Sequence, residues 1–217
     1  MKMKYLKFYL LALLVIVIDH TVKLLVYYNM DMNAVGEISV FGSWFKLHYT
    51  ENPGMAFGLE IGSEYGKLAL TMFRLLAMGG IGYYLYFLIK KGVPQGLCWS
   101  IALILGGAVG NVIDSIFYGK LLDNAPAGAP TPWFHGQVID MFYLDIWEGV
   151  VAHWVPIFGG KHMSLWPIFN IADASIFVGV SIILIFQKSF FKEKTKTKKD
   201  TSEEFFIENE AVDLSNN

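Results

Sequence analysis

Three pairs of polar residues in this chain have spacings that would let side chains cooperate. Asp19 precedes Lys23 by four residues, Asn111 precedes Asp114 by three, and Asn170 precedes Asp173 by three. On a helix each pair shares one face. A fourth aspartate, Asp140, lies in the apolar run Gln137-Val138-Ile139-Asp140-Met141-Phe142. Carboxylates in apolar surroundings pair with a cation, relay protons or cations, or work in twos as acid and base around one shared proton. Singly, each has an ordinary reading. Asp19–Lys23 fits a structural ion pair, Asp114 a helix-end carboxylate, Asp140 a loop side chain, and Asp173 a residue favoured at a helix N-terminus by the dipole.

The elements that must position them set these residues apart. The chain has 217 residues, 54% of them hydrophobic and only 17% charged, with a mean hydropathy of +0.44. Four apolar runs, about 5–28, 68–89, 97–117 and 168–187, each approach the ~20 residues that cross a bilayer. Lys2, Lys4 and Lys7 before the first run also suit a secretory leader, but no small-residue cleavage site follows and Asp19, His20 and Lys23 interrupt its end. It is read as a span. The fold expected is an all-α membrane protein of four transmembrane helices.

Lysines orient it. Lys2, Lys4 and Lys7 precede the first span, Lys90 and Lys91 join the second to the third, and Lys188, Lys192, Lys194, Lys196, Lys198 and Lys199 follow the fourth. These three segments share one side, which the positive-inside rule makes cytoplasmic. The loops 29–67 and 118–167 then face outward and carry few lysines. They hold Trp44, Trp133, Trp147, Trp154 and Trp166, which suit a membrane–water interface. Segment 38–60 alternates enough to suggest short strands, so a small β-rich periplasmic cap is expected. Residues 1–190 read as one membrane domain, and the Lys-, Glu-, Thr- and Asn-rich 191–217 as a disordered cytoplasmic tail.

With alternating topology the polar residues converge in depth. Asp19 and Lys23 lie in the outer half of the first span, Arg74 near the outer end of the second, Asn111 and Asp114 at the end of the third, and Asn170 and Asp173 at the start of the fourth. Arg74 reads as an anchor snorkelling to the lipid–water boundary. Gly106, Gly107 and Gly110 read as a packing seam. A transporter would spread its polar residues across the membrane. A scaffold would leave the two Asn-x-x-Asp segments unexplained, and a protease cutting transmembrane helices would hold its aspartates deeper. A net charge of −2 gives no sign of nucleic-acid binding. The single cysteine, Cys98, excludes an internal disulfide. The histidines lack metal-ligand spacing, so no metal and no cofactor are expected.

Read in order, five segments resemble the lipoprotein signal peptidase (signal peptidase II) family. They are Asp19-His20-Thr21-Val22-Lys23, Asn52-Pro53-Gly54-Met55-Ala56-Phe57-Gly58, the box Gly106-Gly107-Ala108-Val109-Gly110-Asn111-Val112-Ile113-Asp114, Val138-Ile139-Asp140-Met141, and Phe169-Asn170-Ile171-Ala172-Asp173. Three positions depart from the family's usual residues: His20 stands for glutamine, Ser115 for arginine and Met141 for phenylalanine. Ser115 puts in doubt any salt bridge that arginine would make. The loops 118–137 and 143–166 look longer than the family's minimal form.

The resemblance implies a membrane aspartyl endopeptidase of the bacterial inner membrane, with both termini cytoplasmic and the site at the outer face. Its substrate would be a prolipoprotein whose cysteine carries a diacylglyceryl group, cut just before that cysteine. Asp140 and Asp173 would be the catalytic dyad. Asn52 and Gly54 would orient peptide or lipid, Asn111, Asp114 and Asn170 would position dyad and substrate, and Asp19 and Lys23 would support the fold. Arg74 would meet the lipid boundary, and membrane phospholipids would be the other partners. Neither a metal nor a covalent nucleophile is needed for this chemistry.

Overall fold

A lipid-embedded chain must satisfy its own backbone, and helices do so locally. The computed structural model describes residues 3–53, 66–156, 159–164 and 166–191. Helix α1 spans Met3–Asn29, α2 Gly66–Lys91 and α3 Gln95–Ile113. A π-helical turn, Asp114–Tyr118, continues α3 into the short α4, Gly119–Leu121, and α5 spans Ile171–Phe190. Four helices, α3 counted together with its continuation, are long and apolar enough to cross a membrane. The four expected spans are thus present.

Helix α3 is the central one. In its most apolar stretch 56% is buried, against 28% for α1 and 17% for α2 and α5. Its glycines explain this. A Cβ on Gly107 would lie 2.2 Å from the Ala172 carbonyl oxygen of α5, and one on Gly106 would lie 2.8 Å from the Val15 Cβ of α1. The glycine seam therefore works inside the chain, bringing both α1 and α5 close against α3, and at Gly110 a Cβ would meet both Asp19 of α1 and Ala172 of α5. In lipid such close approach, rather than escape from water, supplies the packing energy. The apolar core (Phe8, Ala12, Leu85, Leu88, Ile89, Leu97, Ile101, Leu105) lies at the end of the bundle away from the aspartates. A second cluster of Val26, Tyr49, Tyr118, Leu122, Ile139 and Met141 joins the bundle to a sheet.

That sheet has strands β1 (Ile38–Phe41), β2 (Phe45–Asn52) and β3 (Val138–Leu144) in the order β1-β2-β3, both pairings antiparallel. Asn52 faces Val138 and Thr50 faces Asp140 in register. A separate hairpin pairs β4 (Glu148–Val150) with β5 (His162–Ser164). The β-rich cap is present, and two features differ from expectation. Asp140 lies on a strand rather than in a connection, and loop 143–166 contains a hairpin. The fourth helix also starts at Ile171, not at 168. Phe169 is used as strand instead: its N–H donates to the Phe142 carbonyl at 3.0 Å, and its own carbonyl accepts from Phe142 at 2.8 Å and Met141 at 3.1 Å. Asn170 then turns the chain into the helix from an extended conformation, φ −123° and ψ −176°. The expected tail beyond 191, and the continuation of strand character past Pro53, lie outside the described residues.

Candidate active site

The start of α5 is a capping box. The Asn170 side-chain Oδ1 accepts from the Asp173 N–H at 2.9 Å, and Asp173 Oδ2 accepts from the Asn170 N–H at 3.4 Å. This satisfies two backbone donors and fixes both side chains. The bridge through Phe169 lays β3 beside this helix start. Asn170 Nδ2 accordingly donates to Asp140 Oδ1 at 2.7 Å, and Asn52 Nδ2, from the end of β2, donates to Asp140 Oδ2 at 3.1 Å. From α3, Asn111 Nδ2 donates to Asp173 Oδ1 at 2.8 Å, while Asn111 Oδ1 accepts from Asn170 Nδ2 at 3.2 Å. Two asparagine amides therefore link the carboxyl groups of Asp140 and Asp173.

Asp140 is 1% exposed. Burial in this apolar setting pushes its carboxyl up to about 7, and the charge of Asp173 adds to the push. The amide hydrogen bonds from Asn52 and Asn170 and the charge of Lys23 work the other way. A carboxyl in that range holds or releases a proton near neutrality, as general acid–base chemistry requires.

Beneath the pair lies an ion cluster. Lys23 Nζ is 2.7 Å from Asp19 Oδ2, 2.7 Å from Asp114 Oδ2 and 3.2 Å from Asn111 Oδ1. One ammonium has three N–H bonds, and three acceptors meet them. The other oxygen of Asp19 accepts from the Ala172 N–H of α5 at 2.8 Å. Asp19 thus fixes the element carrying Asp173, and Asp114 is held through Lys23 to α1. Donor atoms of Asp19, His20 and Asp114 lie within 4.8 Å of one another, close enough to hold a metal ion. The Lys23 ammonium already supplies the positive charge there, and His20 Nδ1 is shared with the Tyr118 hydroxyl at 2.7 Å.

Helix α2 contributes a polar stripe that sequence reasoning took up only at Arg74. Arg74 is half-buried, and its Nη1 donates to Ser115 Oγ at 3.1 Å. Ser115 Oγ in turn donates to the Asn111 carbonyl at 2.9 Å. Lys67 Nζ donates to the Pro53 carbonyl, one residue after Asn52, at 2.5 Å. Between them Thr71 is fully buried, 3.0 Å from the Phe134 carbonyl. Lys67, Thr71 and Arg74 fall at i, i+4 and i+7, one helix face, and that spacing in an apolar run was a readable signal. Of the sequence-derived set, Asp19, Lys23, Asn52, Asn111, Asp114, Asp140, Asn170 and Asp173 come together, and Arg74 reaches them through Ser115. Gly54 lies outside the described residues.

The profile of the Signal peptidase (SPase) II family matches residues 11–190. A lipoprotein signal peptidase of Amoebophilus asiaticus is 48% identical over 202 residues, covering 93% of this chain and 86% of that protein. One from Porphyromonas gingivalis is 39% identical over 186 residues, 81% of this chain and 80% of that protein. Among solved structures, a bacterial membrane enzyme determined by the in meso method superposes with a TM-score of 0.57 at 24% identity, over 88% of this chain and 93% of that one. That likeness speaks to the fold alone.

Proposed function

The chain belongs to the signal peptidase II family, and from that premise we propose that Asp140 and Asp173 are its catalytic dyad. The protein is a multi-pass bacterial membrane protease. It removes the signal peptide from prolipoproteins whose cysteine carries a diacylglyceryl group, cutting the peptide bond just before that cysteine. One observation carries the dyad reading: two carboxyl groups joined through the Asn111 and Asn170 amides, one of them buried and pushed up toward neutrality.

Two such carboxyls cannot both ionise cheaply, so the pair holds one proton between its members. The ionised member takes a proton from a water molecule as that water attacks the scissile carbonyl. The protonated member donates a hydrogen bond to the carbonyl oxygen as negative charge develops on it. When the tetrahedral intermediate collapses, the C–N bond breaks and the departing nitrogen takes a proton from the pair. The lipidated cysteine leaves as a new amino terminus, and the pair returns to its single proton.

The other residues serve this geometry. Asn52, Asn111 and Asn170 hold the carboxyls through hydrogen bonds, while Asp19, Lys23 and Asp114 fix the elements that carry them. Gly54, by its place in the Asn52–Gly58 segment, orients peptide or lipid. Lys4 and Lys7 near the start of α1, Lys90 and Lys91 at the end of α2, and Lys188 in the last turn of α5 support cytoplasmic termini and a site at the outer face, where water and headgroups meet. Phospholipid then surrounds the apolar outer faces of the spans.

The test is incubation of the purified protein with a diacylglyceryl-modified prolipoprotein beside its unlipidated form. Cleavage of the first alone is expected. Equal cleavage of both contradicts the lipid requirement, and cleavage of neither contradicts the function.

A further inference from the structure

The connection from β3 to α5 carries a surface that the hydrolysis does not use. Its strands β4 and β5 are three residues each and pair only with one another. A two-stranded hairpin is at best marginally stable in water. This one nevertheless exposes large apolar side chains: Ile146 at 60%, Trp147 at 51%, Val150 at 61% and Trp154 at 84%. Over 146–156 the sole ionisable side chains are Glu148 and His153. Glu148 accepts from the Tyr143 hydroxyl of β3, and the His153 ring lies over Gly160, where a Cβ would be 2.9 Å from it. Both are turned onto the chain itself. Large apolar side chains gathered at an exposed surface mark a contact with something other than water.

The far end of the hairpin shows what that contact is. Glu148 pairs with Ser164 in register, and Ser164 Oγ donates to the Trp166 carbonyl at 3.0 Å. The Trp166 ring packs edge-on against Phe177 of α5, with centroids 5.5 Å apart and planes at 81°. Phe177 is 57% exposed on a helix apolar enough to cross a membrane, so its ring faces lipid. It stands six residues beyond Ile171, about 9 Å of helix rise, and helical side chains lean back toward the N-terminus. The Trp166 indole therefore sits beside a lipid-facing ring in the first turns of the span. That is the level of the membrane–water interface, where indoles are favoured. Two residues of chain reach at most ~7 Å, so Ser164 and its partner strand β4 begin beside the same boundary. The exposed hairpin is continuous with the lipid-facing surface of α5.

We propose that the β4–β5 hairpin is a membrane-interfacial element: Ile146, Trp147, Val150 and Trp154 are seated in the headgroup–acyl boundary on the active-site side, with phospholipid as their partner. This contact is separate from the lipid around the four spans, and it does not depend on the dyad reading. Lipid covers the side chains that water would leave open and holds the hairpin to the surface from which 166–170 enters α5. Residues 146–156 contain neither lysine nor arginine. Apolar burial, not attraction to anionic headgroups, therefore carries the contact.

The experiment places a nitroxide at single cysteines, Val150→Cys and Trp154→Cys, in the full chain with the buried Cys98 changed to alanine, reconstituted into phosphatidylcholine vesicles. Leu184→Cys, on the exposed side of α5, is the lipid reference, and Asp31→Cys, exposed beyond α1, is the aqueous one. Electron paramagnetic resonance measures collisions with oxygen, which concentrates in lipid, and with a neutral nickel chelate, which stays in water. Labels at 150 and 154 are expected to lose nickel access relative to 31 and to keep oxygen access, as at 184. Added phosphatidylglycerol is expected to change neither. Nickel access equal to that at 31 overturns the proposal, because the hairpin then stands in water. Shielding from both reagents also overturns it, because protein, such as a second copy of this chain, then covers the surface. Where a labelled variant fails to fold, tryptophan quenching by brominated phosphatidylcholine is compared between the unlabelled protein and Trp154→Phe. Partial loss of quenching in the variant supports the contact, and equal quenching overturns it. Prolipoprotein cleavage is not the readout, so failure of the dyad reading leaves this test intact.

Discussion

Replacing Asp140 by asparagine removes a group whose burial favours its neutral form, so the effect on stability must change with pH. In the folded protein the carboxyl is pushed from 3.8 to about 7. The folded state therefore binds this proton more tightly than the unfolded state does. Below pH ~4 both states are protonated and there is no penalty. Between ~4 and ~7 the penalty grows as pH rises, and above ~7 it is complete. At 1.36 kcal/mol per pH unit the ceiling is about 4 kcal/mol. Asparagine has no such penalty but carries a fixed cost. Asn52 and Asn170 both aim amide N–H groups at residue 140, at 3.1 and 2.7 Å. The new side chain can offer one of them only another N–H, and a buried unsatisfied donor costs about 1–3 kcal/mol. Asp140→Asn should therefore melt below wild type at pH 4 and above it at pH 8, by a few degrees each way at roughly 2–4 °C per kcal/mol. Tryptophan-fluorescence melting of detergent-solubilised protein across that range reads it directly. A difference of one sign at every pH refutes the buried-proton account.

Other outcomes follow from the same geometry. Lys23→Met leaves Asp19 and Asp114 buried without their ammonium, a loss of about 3–5 kcal/mol; little folded protein should accumulate in the membrane, whereas Asp19→Asn, which still offers Ala172 an oxygen, should lower the melting temperature and keep partial activity. Asn52→Ala withdraws a donor that favours the ionised form of Asp140, so the acid limb of the kcat/KM profile should move to higher pH, by roughly half a unit to one; an unmoved limb would detach Asn52 from the pair. Gly107→Ala would put a methyl carbon 2.2 Å from the Ala172 carbonyl oxygen, and the shift it forces between α3 and α5 should cost at least 1–3 kcal/mol, seen as lower melting together with lower activity.

Much of this arrangement was legible because lipid constrains sequence severely. A span must be helical and apolar, so four runs gave four helices, and the charges breaking those runs stood out against them. Alternating direction then put the charged ends of the runs at one level, and the bundle does gather them there. What escaped was whatever depends on pairing at long range. Strand β3 is apolar on both faces at Val138–Tyr143, with no alternation to mark Asp140 as a strand residue. Its neighbour Phe169 becomes strand rather than helix only because Phe142 is there to pair with it. Lys23 could be matched to Asp19 by spacing, but nothing local announces Asp114 as its second carboxylate. Asn52 reaches Asp140 across 88 residues of chain. Ser115 accepts from the guanidinium of Arg74, which arrives from another helix 41 residues away in the chain.

The account stands on two carboxyl groups acting together, so its most direct test is cleavage of a diacylglyceryl-modified prolipoprotein by Asp140→Asn and Asp173→Asn, each first shown to be folded in the membrane. Each single change should cut the rate at least ~100-fold, since losing a general acid or base costs about 10²–10⁴. Processing near the wild-type rate by either folded variant would remove that aspartate from the reaction and leave the pair without its chemistry.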